Sequence, residues 1–110
     1  MPPRFLLQKF ALPKPGQGPN RTERENGRYE LHFIGASADG AILRASVKGD
    51  RDPGYGSTAK MIAETALCLA EDPERSKAGG GVWTAGSAMG TALQRRLEER
   101  AGLSFSIVED

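Results

Sequence analysis

The sequence predicts an α+β fold: an antiparallel or mixed sheet of three to four strands with two main helices packed on one face. Three observations carry that expectation. Residues 28–34, 41–48 and 103–108 alternate apolar and polar side chains with the two-residue period of a half-buried strand. Residues 58–71 and 88–100 instead place apolar side chains at helical spacing. Glycine and proline clusters separate these blocks at the distances expected of turns and short loops.

Taken in order, residues 4–12 (Arg-Phe-Leu-Leu-Gln-Lys-Phe-Ala-Leu) have helical spacing and read as the tail of a preceding helix, stopped by Pro13 and Pro15. Residues 13–27 hold three prolines and three glycines and read as a linker. Within it, Asn20 to Glu23 has the form of a capping box for a brief helical turn ended by Gly27. In the first strand Tyr29, Leu31 and Phe33 share one face, and Glu30, His32 and Ile34 the other. In the second, Leu43, Ala45 and Val47 face away from Ile42, Arg44, Ser46 and Lys48, and Asp39-Gly40 supplies the turn between the strands.

The first main helix is expected from about Thr58 to Glu71, with Ser57 or Thr58 as its N-cap. Ala59, Ile62, Ala63, Ala66, Leu69 and Ala70 make one stripe, and Met61, Leu67 and Cys68 widen it. So much apolar surface exceeds what one small sheet can cover. The surplus predicts an external partner, a missing domain or an apolar ligand, unless the segment 4–12 folds over it. Val82 to Thr84 is a candidate short strand. Ser87 is expected to cap a second helix whose stripe is Met89, Leu93, Leu97 and Ala101, with Gln94, Arg95, Glu98 and Glu99 solvated and Gly102 ending it. Leu103, Phe105 and Ile107 share one face of the last strand.

The 110 residues fit a single domain (1–110), with a formal charge of +1 and mixed signs throughout. Nothing in that balance argues for a nucleic-acid surface, which usually needs a clustered basic patch. No apolar run approaches the roughly 18 residues of a membrane span, and the start lacks the pattern of a secretory signal. One cysteine (Cys68) and one histidine (His32) leave neither an internal disulfide nor a structural zinc site within the chain, so no metal is expected. The lone thiol suits a reducing, cytoplasmic setting.

Candidate chemistry concentrates in Asp52-Pro-Gly-Tyr-Gly-Ser-Thr-Ala-Lys60. Glycines, hydroxyls and a lysine at a helix start are materials for holding an anion. The spacing is not that of a phosphate loop, however, and Lys60 already lies inside the helix. A tight turn before a capped helix is the plainer account. Tyr55 and Lys60 are too far apart in sequence for a tyrosine–lysine pair on one helical turn. His32 has only Glu30 beside it on its strand face. Cys68, in an apolar helix, reads as core. The triple glycine 79–81 has neither the strand before it nor the helix straight after it that a dinucleotide fingerprint requires.

The block from Asp52 to Lys60, with the helix that ends Glu64-Thr-Ala-Leu-Cys-Leu-Ala70, resembles the C-terminal region of saccharopine dehydrogenase-like oxidoreductases. Gly80-Gly-Val-Trp-Thr-Ala85, then Ala88-Met-Gly90, Leu93, Arg96-Leu97 and the closing Leu103-Ser-Phe105 strand, is similar to the same group. The resemblance implies a two-part enzyme. An N-terminal Rossmann domain would bind NAD or NADP, and the present chain would be the C-terminal domain that covers the active site and supports a homodimer. It implies no cofactor in this chain and no activity for it alone. Many members are expected not to act on saccharopine, and some resemble enoyl reductases of lipid pathways. No residue can be carried over as catalytic; Asp52, Gly54, Tyr55 and Lys60 are the candidate cleft-facing group. The alternative is a non-enzymatic α+β module for dimerisation or for binding an apolar ligand. A stand-alone enzyme using Tyr55, Lys60 and His32 ranks last.

Overall fold

The computed structural model describes residues 14–72 and 79–108. Its elements are α1 (Arg21–Asn26), β1 (Tyr29–Ala36), β2 (Ile42–Gly49), α2 (Gly56–Glu71), α3 (Ala85–Arg100) and β3 (Leu103–Val108). They make an α+β fold with one three-stranded antiparallel sheet, β2 in the centre. The helix expected over 4–12 lies outside the described residues.

Alternation fixes the sheet register. Leu31 pairs with Val47 and Phe33 with Ala45, while Ala45 and Val47 pair on their other side with Ile107 and Phe105. One face therefore carries most of the large apolar side chains. The opposite face is mixed: it holds Ile34, Ile42 and Val108, and on it Lys48 and His32 both approach Glu30 Oε1, at 3.3 and 3.6 Å. Ser46 and Ser106 share a hydroxyl hydrogen bond of 2.9 Å across the β2–β3 pair.

The capping box forms as the sequence predicts: Glu23 N–H donates to Asn20 Oδ1 (2.9 Å) and Asn20 N–H to Glu23 Oε2 (2.8 Å). Two other expected caps move. Helix α3 begins at Ala85 rather than Ala88, because the Thr84 side chain accepts from Ser87 N–H. Ser87 sits inside the first turn, where its hydroxyl donates back to Thr84 O. Gly90 adopts φ 48° and ψ −127°, so α3 is two helical pieces joined at a kink. Val82 to Thr84 is not a strand and pairs with none among the described residues.

The core lies between the two long helices. Cys68 of α2 packs with Met89, Ala92 and Leu93 of α3, flanked by Ala88 and Leu97. Ala101, on the short connection from α3 into β3, and Leu103, the first residue of β3, are also buried. The predicted stripe of α3 is thus the stripe that is covered.

The sheet joins the helices at one end. Tyr29 lies over its cross-strand partner Gly49, and its hydroxyl shares a 2.8 Å hydrogen bond with Ser57 Oγ in the first turn of α2. A Cβ at position 49 would stand 2.1 Å from the Tyr29 ring, so only glycine lets the ring lie there. Beyond this end, Leu31, Phe33, Leu43 and Ile107 are all at least half exposed. Burial of such a side chain is worth about 1.5–3 kcal/mol, so the sheet leaves much of its potential stabilisation unused.

Gly49→Ala forces the Tyr29 ring off its seat and breaks the contact with Ser57. The expected loss is about 1–3 kcal/mol, the usual range for overpacking. Urea unfolding should show it as a lower midpoint with an unchanged slope.

Candidate functional site

The predicted N-cap of α2 is corrected by the structure. Neither Ser57 nor Thr58 caps the helix. Ser57 is fully buried against Tyr29, and the Thr58 hydroxyl donates to Pro53 O at 2.6 Å. Asp52 does the capping from four residues before the helix. Its Oδ2 accepts from the N–H groups of Tyr55 and Gly56, both at 2.8 Å, and its Oδ1 from Gly54 at 3.1 Å. The Gly56 donor above all, with Tyr55 and Gly54, holds the Asp52 carboxyl below its ordinary range. This geometry accounts for the look of an anion loop in the sequence: the donors of residues 54–56 are real, and the chain's own carboxylate fills them.

Helix α1 closes over this turn. Asp52 N–H donates to Arg24 O at 3.0 Å. The approach is so close that a Cβ on Gly27 would fall 2.5 Å from Asp52 N, which is why the chain carries glycine there. The Arg28 guanidinium donates to Gly27 O and to Asp50 O and pins the same corner. Arg51 Nε is buried with no hydrogen-bond partner among the described residues.

The structure separates the four candidate residues. Asp52 and Gly54 are structural parts of the turn. Tyr55 is 60% exposed and lines a surface cleft of about 570 Å³ with Gly18, Pro19, Asn20 and Arg24. Lys60, half-buried in α2, does not line that cleft. A second cleft of about 380 Å³, more apolar, lies between the long helices and is lined by Thr65, Leu69, Trp83, Ala88 and Met89. His32 is exposed on the mixed face of the sheet. Among the described residues no group of three His, Cys, Asp or Glu could hold a metal ion.

The strongest electrostatic feature is one that sequence reasoning missed. Arg96 of α3 is 7% exposed and reaches across to α2. It donates to both oxygens of Asp72, from Nε at 2.9 Å and from Nη2 at 2.8 Å. Glu71 Oε2 accepts at 2.9 Å and Glu64 Oε2 at 3.4 Å. Cys68 Sγ–H donates to Asp72 Oδ2 at 3.3 Å. The Arg96 bonds hold the Asp72 carboxyl down at about 2, and the three carboxylates raise Arg96 above its ordinary range, Asp72 most of all. Burial, then the bond to Asp72, pushes the Cys68 thiol up, so it is a poor nucleophile and a core residue, as its helical setting predicts. A signal for this cluster was present: Glu64, Glu71 and Asp72 share one side of α2, and Arg96 lies one turn beyond Leu93 beside the apolar stripe.

The inward side of α2 is therefore Ser57, Met61, Glu64, Thr65, Cys68 and the following Asp72, mostly polar. The alanine-rich stripe Ala59, Ile62, Ala63, Ala66 and Ala70 faces out, with Ile62 69% exposed, and Leu69 sits half-exposed at its edge beside the interhelix cleft.

No family profile matches the chain, and no solved structure matches it. Similar proteins are named as reductases. A Mycobacterium tuberculosis protein provisionally named trans-acting enoyl reductase Rv2449c is 39% identical over 103 residues, which is 94% of this chain and 24% of the relative. A trans-acting enoyl reductase of Mycobacterium bovis is 40% identical over 95 residues, 86% of this chain and 22% of its own length. One of Mycobacterium ulcerans is 39% identical over 97 residues, 88% of this chain and 23% of its own. The chain spans about a quarter of the length of the curated relatives it matches.

These relatives overturn the saccharopine dehydrogenase-like resemblance and the function drawn from it. The matched segment is shared with proteins named as trans-acting enoyl reductases. The first block that carried the resemblance turns out to be a carboxylate-capped turn and a helix with an alanine stripe. These are structural devices that specify no reaction.

Two predictions follow from the Arg96 cluster. Arg96→Ala leaves three carboxylates facing one another without a cation, and should lower the thermal midpoint by about 10 °C or more. The Asp72 carboxyl is depressed in the folded state, from 3.8 to about 2. Its stabilisation is complete above the unfolded value and is lost as pH falls through that window. Urea unfolding between pH 5 and pH 2 should show a steep loss for the natural chain and a shallower one for Asp72→Asn.

Proposed function

We propose that this chain is a structural module of a trans-acting enoyl reductase, one that shapes and seals the enzyme and does not carry its hydride chemistry. The observation that supports this most is the similarity along nearly the whole chain to a quarter of such proteins. The architecture agrees with it: the polar side of α2 is spent on an internal ion cluster, and two apolar surfaces, on α2 and on the sheet, face outward.

Reduction of an enoyl double bond needs a hydride donor, and that chemistry belongs to a cofactor. NAD or NADP is the donor we assign to the whole enzyme, held by a Rossmann domain in the rest of its length. The described residues do not fit that cofactor. Their glycine-rich helix start, the natural cradle for a pyrophosphate, is already filled by Asp52. We place residues 1–110 as one C-terminal domain, 13–27 as its linker, and the turn of Asp52, Gly54 and Tyr55, with Lys60 in the helix that follows, toward the substrate cleft, with Tyr55 the group that can reach it. A homodimer belongs to the same proposal, with the half-exposed apolar end of the sheet as its contact. The free thiol suits a reducing, cytoplasmic compartment; no helix among the described residues is long and apolar enough to cross a membrane.

Deleting the counterpart of this chain from the Mycobacterium tuberculosis relative should abolish NADPH-dependent reduction of an enoyl thioester while NADPH binding, followed by fluorescence, survives. Full reductase activity in the truncated protein, or tight NADPH binding by the present chain alone, contradicts the proposal.

A further inference from the structure

The outward side of α2 is shaped for a particular kind of partner. Ala59, Ala63, Ala66 and Ala70 follow one another along the centre of that side, all exposed, with Ile62 and Leu69 rising on one flank and Leu67 on the other. Small residues in a row between larger ones form a groove along a helix. Such a groove accepts the side-chain ridge of a second helix at close axial separation, on the order of 8 Å. The exposure does not come from a turned or frayed helix: the Arg96 cluster and Cys68 lock the other side of α2 onto α3.

We infer that this groove is the seat of an α-helix supplied by the rest of the reductase, the roughly three quarters of a relative's length that this chain does not span. The inference rests on the functional reading above and names the surface through which the module joins its enzyme. The incoming helix has a definite chemistry. It is apolar on the side it presents.

The test is a full-length chimera in which this chain replaces its counterpart in the Mycobacterium tuberculosis relative, with Ala66→Arg and, separately, Ile62→Lys. Each is also made in the chain alone. In the chain alone both positions are exposed and both new residues are good helix formers, so the thermal midpoint should move by no more than about 2 °C. In the chimera each puts a charge into a packed helix seam, and the midpoint should fall by roughly 5 °C or more, with loss of enoyl reduction.

If the unsubstituted chimera is inactive or unfolds in separate steps, the functional reading fails. If it is active and both variants leave its midpoint and rate unchanged, the groove is not the seam and this inference alone falls. If the chain by itself sediments as a dimer that Ala66→Arg dissociates, while the chimera is indifferent, the groove takes a second copy and the inference is overturned in favour of that partner.

Discussion

One guanidinium decides which way the central helix faces. Arg96 is buried, and a buried cation must be matched by carboxylates or expelled. Its partners, Glu64, Glu71 and Asp72, all belong to α2 and its C-terminal cap, so α2 turns its polar side toward α3. The helix cannot do that and also bury its alanine stripe. Most surface helices hide their apolar side and show their polar one. Here the ion cluster reverses the assignment, and Ile62 is left in the open with Leu69 half-exposed beside it. The same cluster brings Cys68 into the helix seam, where its thiol meets Asp72.

The remaining features place that unit relative to the sheet. Asp52 starts α2 by accepting three backbone N–H groups, and the same residue's N–H ties the turn to α1. Ser57, one residue into the helix, is free to meet Tyr29 because it is not needed as a cap. The sheet and the helices thus share a hinge-like corner around Tyr29, Gly49, Asp52 and Ser57. They diverge beyond it, which leaves the far end of the apolar sheet face unpaired. A chain with both its main helix and its sheet turned greasy side out has the surfaces of an internal part. That matches its similarity to a quarter of longer reductases.

Local chemistry was legible in the sequence where one residue type has one job. The strand alternation gave three strands within a residue or two of their observed bounds, because a half-buried sheet enforces period two. The Asn20 capping box and the Met89, Leu93, Leu97 and Ala101 stripe needed only neighbours three and four residues away. The α2 caps were misassigned because a hydroxyl directly before a helix is the usual cap, whereas Asp52 reaches the same donors through a turn. Arg96 was passed over because an arginine on an amphipathic helix is ordinarily solvated; its burial depends on carboxylates that lie 24–32 positions away in the chain. The apolar surplus of α2 was visible from composition alone, but which side stayed exposed depended on that distant pairing. The reaction could not be read from a segment whose recognisable motifs are turns and caps.

The orientation of α2 is the claim on which all of this stands, and thiol labelling of the folded chain measures it most directly. Cysteine substitution at an outward position, Ile62→Cys or Ala66→Cys, should give a thiol that reacts with maleimide at the rate of an unstructured peptide, while Cys68 in the same molecule stays protected until the chain unfolds. Rapid labelling of Cys68 with protection at 62 and 66 would mean that the helix buries its alanine stripe. The Arg96 cluster could not then be its anchor.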